Sequence, residues 1–121
     1  MSIKLSICIP TYNRAALIGK TLESIIAQAT GDVEIVVSDN ASTDNTAEVI
    51  KGFTAKFPRL VYVQQEINKG ADANFMNVVS NASGEYCWLL GSDDVMKAGA
   101  LRKVLEELSA APAVLLTNRL E

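Results

Sequence analysis

Two adjacent carboxylates, Asp93 and Asp94, follow the apolar run Tyr86-Cys87-Trp88-Leu89-Leu90, with only Gly91-Ser92 between. A strand that ends this way sets two negative charges at the rim of a sheet, where water is scarce and like charges repel. A hard divalent cation, Mg2+ or Mn2+, relieves such a pair, and a diphosphate is the usual third party. The competing explanation is a helix cap, since Asp is favoured at helix starts beside the positive end of the dipole. Two more polar clusters follow apolar runs: Pro10-Thr11-Tyr12-Asn13 and Ser38-Asp39-Asn40-Ala41-Ser42-Thr43-Asp44. Each alone is accounted for by turns and caps. Together they offer an aromatic ring, an acid able to accept from a base or ribose, and an acid pair for a metal diphosphate, which are the parts a nucleotide needs.

The elements that must position these residues are legible from periodicity. Leu5 to Ile9 is short, apolar and branched, and Pro10 stops it, as for a buried strand. Asn13 is expected to cap a helix whose stripe is Leu17, Ile18, Leu22, Ile25 and Ile26. Val33 to Val37 reads as a second strand, and Asn45 with Glu48 as a capping-box start for a helix through Phe53. Leu60 to Val63 is a third strand. Asn68-Lys69-Gly70 turns the chain into a helix bearing Phe75, Met76, Val78 and Val79 and ending near Gly84. A fourth strand, Tyr86 to Leu90, precedes a helix carrying Ala100, Leu101, Val104, Leu105 and Leu108, and Ala113 to Leu116 reads as a fifth strand. Strands alternating with helices specify βαβ units, so the fold class is α/β: a Rossmann-like, mostly parallel sheet with flanking helices. In such a sheet the three polar clusters share the carboxyl edge, where ligands bind at the reversal of strand order. Neither G-x-G-x-x-G nor G-x-x-x-x-G-K occurs, so backbone amides cannot cradle a diphosphate in those ways and a metal must neutralise it.

Composition narrows the classes further. The 121 residues fit one domain, 1–121, with 49% hydrophobic and 21% charged residues, a globular balance. Net charge is −3 and no segment gathers Lys and Arg, so no nucleic-acid partner is expected. Cys8 and Cys87 lie in apolar runs and are expected to be reduced core thiols, and there is no His. No apolar stretch approaches the ~18 residues of a spanning helix, and the start lacks a signal-peptide pattern, so the expected location is cytoplasmic.

The run Ser6-Ile7-Cys8-Ile9-Pro10-Thr11-Tyr12-Asn13-Arg14, then Glu34 to Asp44, Asn68-Lys69-Gly70, and Gly84-Glu85-Tyr86 leading to Ser92-Asp93-Asp94, resembles in order the amino-terminal half of the family 2 glycosyltransferases of the GT-A fold. The Gly70 to Asp94 stretch, with Asn74 and Trp88-Leu89-Leu90-Gly91, is closest to the abequosyltransferase-like branch. The resemblance implies an inverting transfer of sugar from a nucleoside diphosphate donor to an acceptor hydroxyl, in bacterial surface polysaccharide synthesis. It implies that Pro10, Thr11, Tyr12 and Asn13 border the nucleoside, that Asp39 binds the base, that Ser92 and Asp93 line the donor, and that Asp93 and Asp94 hold Mn2+ or Mg2+. The commoner family pattern has a further Asp two positions before Asp93, where this chain has Gly91. The family's catalytic base lies in the acceptor-binding half, so it corresponds to no residue here. The expectation is a donor-binding fragment with little activity alone, its glycan or lipid-linked acceptor engaged by the full-length protein at the cytoplasmic face of the membrane. Loss of that half would expose apolar surface and favour a homo-oligomer. The alternative is a non-catalytic nucleotide-binding module. A phosphoacceptor signalling domain is disfavoured, because it needs acids after the first strand and Lys after the fifth, where this chain has Pro10-Thr11-Tyr12 and Thr117-Asn118.

Overall fold

Among the described residues, four parallel strands and four helices alternate strictly along the chain, as the βαβ reading requires. The computed structural model describes residues 3–110. The strands are β1 (Leu5–Thr11), β2 (Val33–Asp39), β3 (Leu60–Gln64) and β4 (Tyr86–Leu89). The helices are α1 (Ala15–Ile26), α2 (Thr46–Thr54), α3 (Ala71–Ser80) and α4 (Ala100–Leu108). Sheet order is β3-β2-β1-β4, so the chain first steps one way across the sheet and then returns past β1 to add β4 on the other side. The reversal falls between β1 and β4. The expected fifth strand, Ala113 to Leu116, lies outside the described residues.

Side chains alternate across the pleat, and the two faces differ in chemistry. Leu5, Ile7 and Ile9 of β1, Val33, Ile35 and Val37 of β2, and Leu60 of β3 form the main core with Ile18, Leu22 and Ile25 of α1, Ile50 of α2, and Leu101, Val104 and Leu108 of α4. The helical members recur at three- and four-residue spacings, so each helix buries one stripe. Among the described residues the other face carries only α3, whose Val78 packs on Cys8 and Val36. This face is laced with polar residues, among them the buried Ser6, Glu34, Ser38 and Asn74.

Four sequence expectations change here, and the first is that Pro10 does not stop its strand, since β1 runs through it to Thr11. Cys8 is buried, but Cys87 is exposed, because α3 covers β1 and β2 and leaves the β4 face open at Cys87 and Leu89. Burial, then the neighbouring Cys87, pushes the Cys8 thiol up to about 12, which keeps it protonated and inert. Helix α3 stops at Ser80 rather than near Gly84, and Gly84 has another duty. A Cβ there would stand 2.7 Å from Ser6 Oγ and 2.8 Å from the Ser6 amide nitrogen, so only glycine lets the entry to β4 lie against β1. Neither helix start uses the expected cap: Arg14 and Asn45 hold the N-cap positions without side-chain bonds, and the Asn45–Glu48 box does not form.

The sheet has a polar clamp at its amino edge. The Glu34 carboxylate accepts from the Ser6 hydroxyl at 2.5 Å and from the Ser83 amide at 2.6 Å, while the Gly84 amide donates to Ser6 Oγ at 2.8 Å. Burial alone would raise the Glu34 pKa, but the bonds from Ser6 and from the Ser83 and Gly84 amides outweigh it and hold the carboxyl below its usual range. The clamp sets β4 beside β1, with Leu5 opposite Tyr86 and Cys8 opposite Leu89.

Candidate functional site

Parallel pairing brings the ends of β1, β2 and β3 level: Thr11 stands opposite Asp39, and Asp39 opposite Gln64. Strand β4 is the neighbour of β1 on the other side, and the Leu90 amide still donates to the Cys8 carbonyl at 3.0 Å as the chain leaves the ladder. The loops that follow the first, second and fourth strands therefore leave the same edge of the sheet, with Gly91 to Asp94 following β4 on the switch-point side of β1.

Within the first loop, Tyr12 is 41% exposed, its ring available to a ligand, whereas Thr11 is 3% exposed. Thr11 Oγ1 is buried without a hydrogen-bond partner among the described residues. An unmet buried hydroxyl costs about 1–3 kcal/mol, which an arriving polar group would offset. Asn13 adopts φ +50°, a left-handed conformation Asn tolerates, and its side chain reaches across to the β2–α2 loop. Its Oδ1 accepts from the Thr43 amide at 2.7 Å and the Asp44 amide at 3.3 Å, while its own amide donates to Ser42 Oγ at 2.9 Å. Asn13 is thus a stitch between two loops rather than a helix cap. Asp44 completes the seam by accepting from the Ala15 amide at 3.2 Å and from the Thr46 hydroxyl. The Thr46 bonds, foremost that of its hydroxyl, hold the Asp44 carboxyl below its usual range.

Asp39 is fully buried, and both of its oxygens are engaged. Oδ1 accepts from the Ser42 amide at 3.0 Å and its hydroxyl at 2.6 Å, and Oδ2 accepts from the Tyr62 hydroxyl at 2.6 Å. Burial and the Asp39 carboxylate together push the Tyr62 phenol above its ordinary pKa. A carboxylate has about four acceptor positions, so one remains after these three donors. Beside it, Ala41, Ser42, Gln64, Gln65 and Glu66 line an open cleft of about 430 Å3.

Sequence reasoning missed the side chains that hold these loops in place. Asn74 of α3, 3% exposed, donates to the Thr11 carbonyl at 3.3 Å and the Ser38 carbonyl at 3.0 Å, and accepts from the Ser38 hydroxyl at 2.7 Å and Gln65 at 2.9 Å. Asn40 binds Asn68, Lys69 and Gly70 in the β3–α3 turn through its own side chain. On α1 and just past its end, Thr21 donates to the Ser92 carbonyl at 3.1 Å, the Met96 amide donates to Ser24 Oγ at 2.8 Å, and Gln28 donates to the Lys97 carbonyl at 2.9 Å. These polar residues at three- and four-residue spacing are the one signal the sequence offered, a second stripe beside the apolar one.

Ser92 is 7% exposed, Asp93 exposed and Asp94 partly buried. Asp94 Oδ2 accepts from the Gly91 amide at 3.2 Å, and the Asp94 amide returns a bond to the Gly91 carbonyl at 3.1 Å. A Cβ at position 91 would lie 2.7 Å from Asp94 Oδ2 and 3.1 Å from Asp93 Oδ1, so both carboxylates crowd the space that glycine leaves. Two hard-oxygen groups meeting at one point fit Mg2+ or Mn2+, which take few protein ligands and complete their shell with water and phosphate oxygens. Among the described residues no group of three or more His, Cys, Asp or Glu could hold a metal. No described helix is long and apolar enough to cross a membrane.

Comparison with known proteins agrees with this geometry. Abequosyltransferase RfbV of Salmonella typhimurium is 40% identical over 97% of this chain, which spans 36% of that protein. A GalNAc(5)-diNAcBac-PP-undecaprenol beta-1,3-glucosyltransferase of Campylobacter jejuni is 35% identical over 95% of the chain, which spans 38% of it. Among solved structures, S. aureus TarS 1-349 in complex with UDP matches 89% of the chain at TM-score 0.82 and 28% identity, with 32% of that TarS chain covered. Mannosyltransferase PcManGT from Pyrobaculum calidifontis, in complex with GDP-Man and Mn2+, matches 90% at TM-score 0.80 and 26% identity, with 33% covered. The chain thus spans roughly a third of the length of the relatives it matches. The model of glycosyl transferase family 2 matches residues 6–120, nearly the whole sequence, and the chain belongs to that family.

Proposed function

We propose that this chain is the donor-binding part of an inverting glycosyltransferase that moves a sugar from a nucleoside diphosphate to an acceptor hydroxyl, in bacterial surface polysaccharide synthesis. What supports the proposal is the pairing of β4 beside β1 at the switch point, which puts the Gly91 turn, crowded by two carboxylates, on the same sheet edge as a buried Thr11 hydroxyl without a partner among the described residues. Pro10, Thr11 and Tyr12 border the nucleoside, with the Tyr12 ring as a stacking surface. Asp39 presents its remaining acceptor position to the base, pinned in orientation by Tyr62 and Ser42. Asn13 serves the nucleoside indirectly, by holding the two loops together. Ser92 and Asp93 line the donor, and Asp93 and Asp94 hold the divalent cation. Mn2+ or Mg2+, when bound, supplies positive charge against the departing nucleoside diphosphate. The acceptor, a glycan or lipid-linked glycan, and the base that deprotonates it belong to the rest of the full-length protein, which would work at the cytoplasmic face of the membrane.

Isothermal calorimetry with UDP, CDP, GDP and dTDP, each with Mn2+ and with EDTA, tests this. One nucleotide is expected to bind more tightly with metal than without. Absence of binding by all four in both conditions refutes the proposal.

A further inference from the structure

Gly91 and Gly84 are both glycines a side chain would crowd, but the obstacles differ. At Gly84 two of the three nearest atoms are backbone, the Ser6 nitrogen at 2.8 Å and the Leu5 carbonyl carbon at 3.0 Å, so a Cβ there strains the sheet itself. At Gly91 all three nearest atoms are carboxylate atoms: Asp94 Oδ2 at 2.7 Å, Asp93 Oδ1 at 3.1 Å and Asp94 Cγ at 3.4 Å. Gly91 does not have a positive φ, so its backbone would accept any residue. Short carboxylates on one turn yield by rotating about χ1, which costs little. A side chain at position 91 would therefore leave the fold standing and turn the acids away. The Gly91 amide also donates to Asp94 Oδ2 at 3.2 Å, a bond that survives only while the carboxylate lies over the bare Cα.

We propose that Gly91 is a positioning residue of the acid pair: the missing side chain is the space in which the Asp94 carboxylate settles on the Gly91 amide beside Asp93. The inference rests on the donor-binding reading given above and deepens it. The consequence runs against charge counting: adding a carboxylate at position 91 weakens metal-dependent binding.

The test uses the full-length protein with Gly91→Ala and Gly91→Asp. The first readout is the gain in nucleoside diphosphate affinity on adding Mn2+, measured against EDTA with the nucleotide the wild type prefers. Removing an outer hydrogen-bond partner from a metal-binding carboxylate typically costs about 10–100-fold in metal affinity. Both variants are expected to lose that much of the gain while keeping the EDTA affinity and the melting temperature of the wild type. The second readout needs no ligand: in a crystal structure of Gly91→Ala the Asp94 carboxylate is expected to have turned off the residue 91 amide, which it meets at 3.2 Å in the wild type. Wild-type metal dependence in both variants, or an Asp94 carboxylate still seated on the residue 91 amide in Gly91→Ala, overturns the inference. If the wild type itself shows no metal-dependent binding, the donor reading fails, and the place of the Asp94 carboxylate in Gly91→Ala still decides the positioning role.

Discussion

Asn74 ties β1, β2 and the segment after β3 together at the carboxyl edge of the sheet, and its replacement gives a sharp stability test. Its carboxamide takes part in four hydrogen bonds, to the Thr11 and Ser38 carbonyls, the Ser38 hydroxyl and Gln65, from a position only 3% exposed. Asn74→Leu keeps the volume and removes all four. Gln65 can turn to water, and the Thr11 carbonyl still accepts from the Asn40 amide at 3.0 Å. The Ser38 hydroxyl retains the Asn77 bond at 2.7 Å but loses its acceptor. Counting the two Ser38 bonds in full and the rest in part gives a loss of about 2–4 kcal/mol. With a urea slope of about 1.5 kcal/mol per M for a chain of this size, the unfolding midpoint should fall by about 1.3–2.7 M. Asn74→Asp sharpens the test, because it keeps the acceptor for Ser38 and Gln65 and replaces the amide donor with a second acceptor facing two carbonyls. That variant should be at least as unstable at pH 7. It should recover as the pH falls through the raised pKa of the introduced carboxyl, since the protonated acid can donate. A midpoint shift below about 0.5 M for Asn74→Leu, or no recovery of Asn74→Asp in acid, would refute the reasoning.

Other outcomes follow from the same geometry. Glu34 has a folded pKa below its reference of 4.5, so its contribution is complete above that value and is lost as pH falls through the folded pKa. Glu34→Gln should cost about 1–3 kcal/mol at pH 7, and urea titrations across pH should show its gap to the wild type closing below about pH 4.5. Tyr62→Phe removes the donor to Asp39 Oδ2 and should cost about 1–2 kcal/mol by urea unfolding, with weaker nucleotide binding in Mn2+ and in EDTA alike. Asp94→Asn removes a charge from a partly buried turn, so it should fold normally and, in calorimetry, lose chiefly the Mn2+-dependent part of nucleoside diphosphate affinity.

The order of strands and helices, the parallel sheet, and the gathering of three polar clusters on one edge were all determined by the sequence itself. Branched apolar runs near Ile7, Ile35 and Trp88 and the stripe Ile18, Leu22, Ile25 carry their period within a few residues of themselves, and the rule that parallel strands share a carboxyl edge does the rest. The tertiary structure alone decided what each polar side chain does there. Asn13 could cap its own helix or stitch a loop thirty residues away, and nothing local distinguishes the two. Asp39 could face solvent or lie buried under Tyr62, and Cys87 could be core or surface depending on how far α3 extends across the sheet. Gly84 and Gly91 look alike in sequence, yet one yields to backbone and the other to two carboxylates. Such differences arise from partners distant along the chain, or from the fold of a turn in three dimensions. Hydrophobic periodicity records which face a residue turns, but not which hydrogen bond it will find.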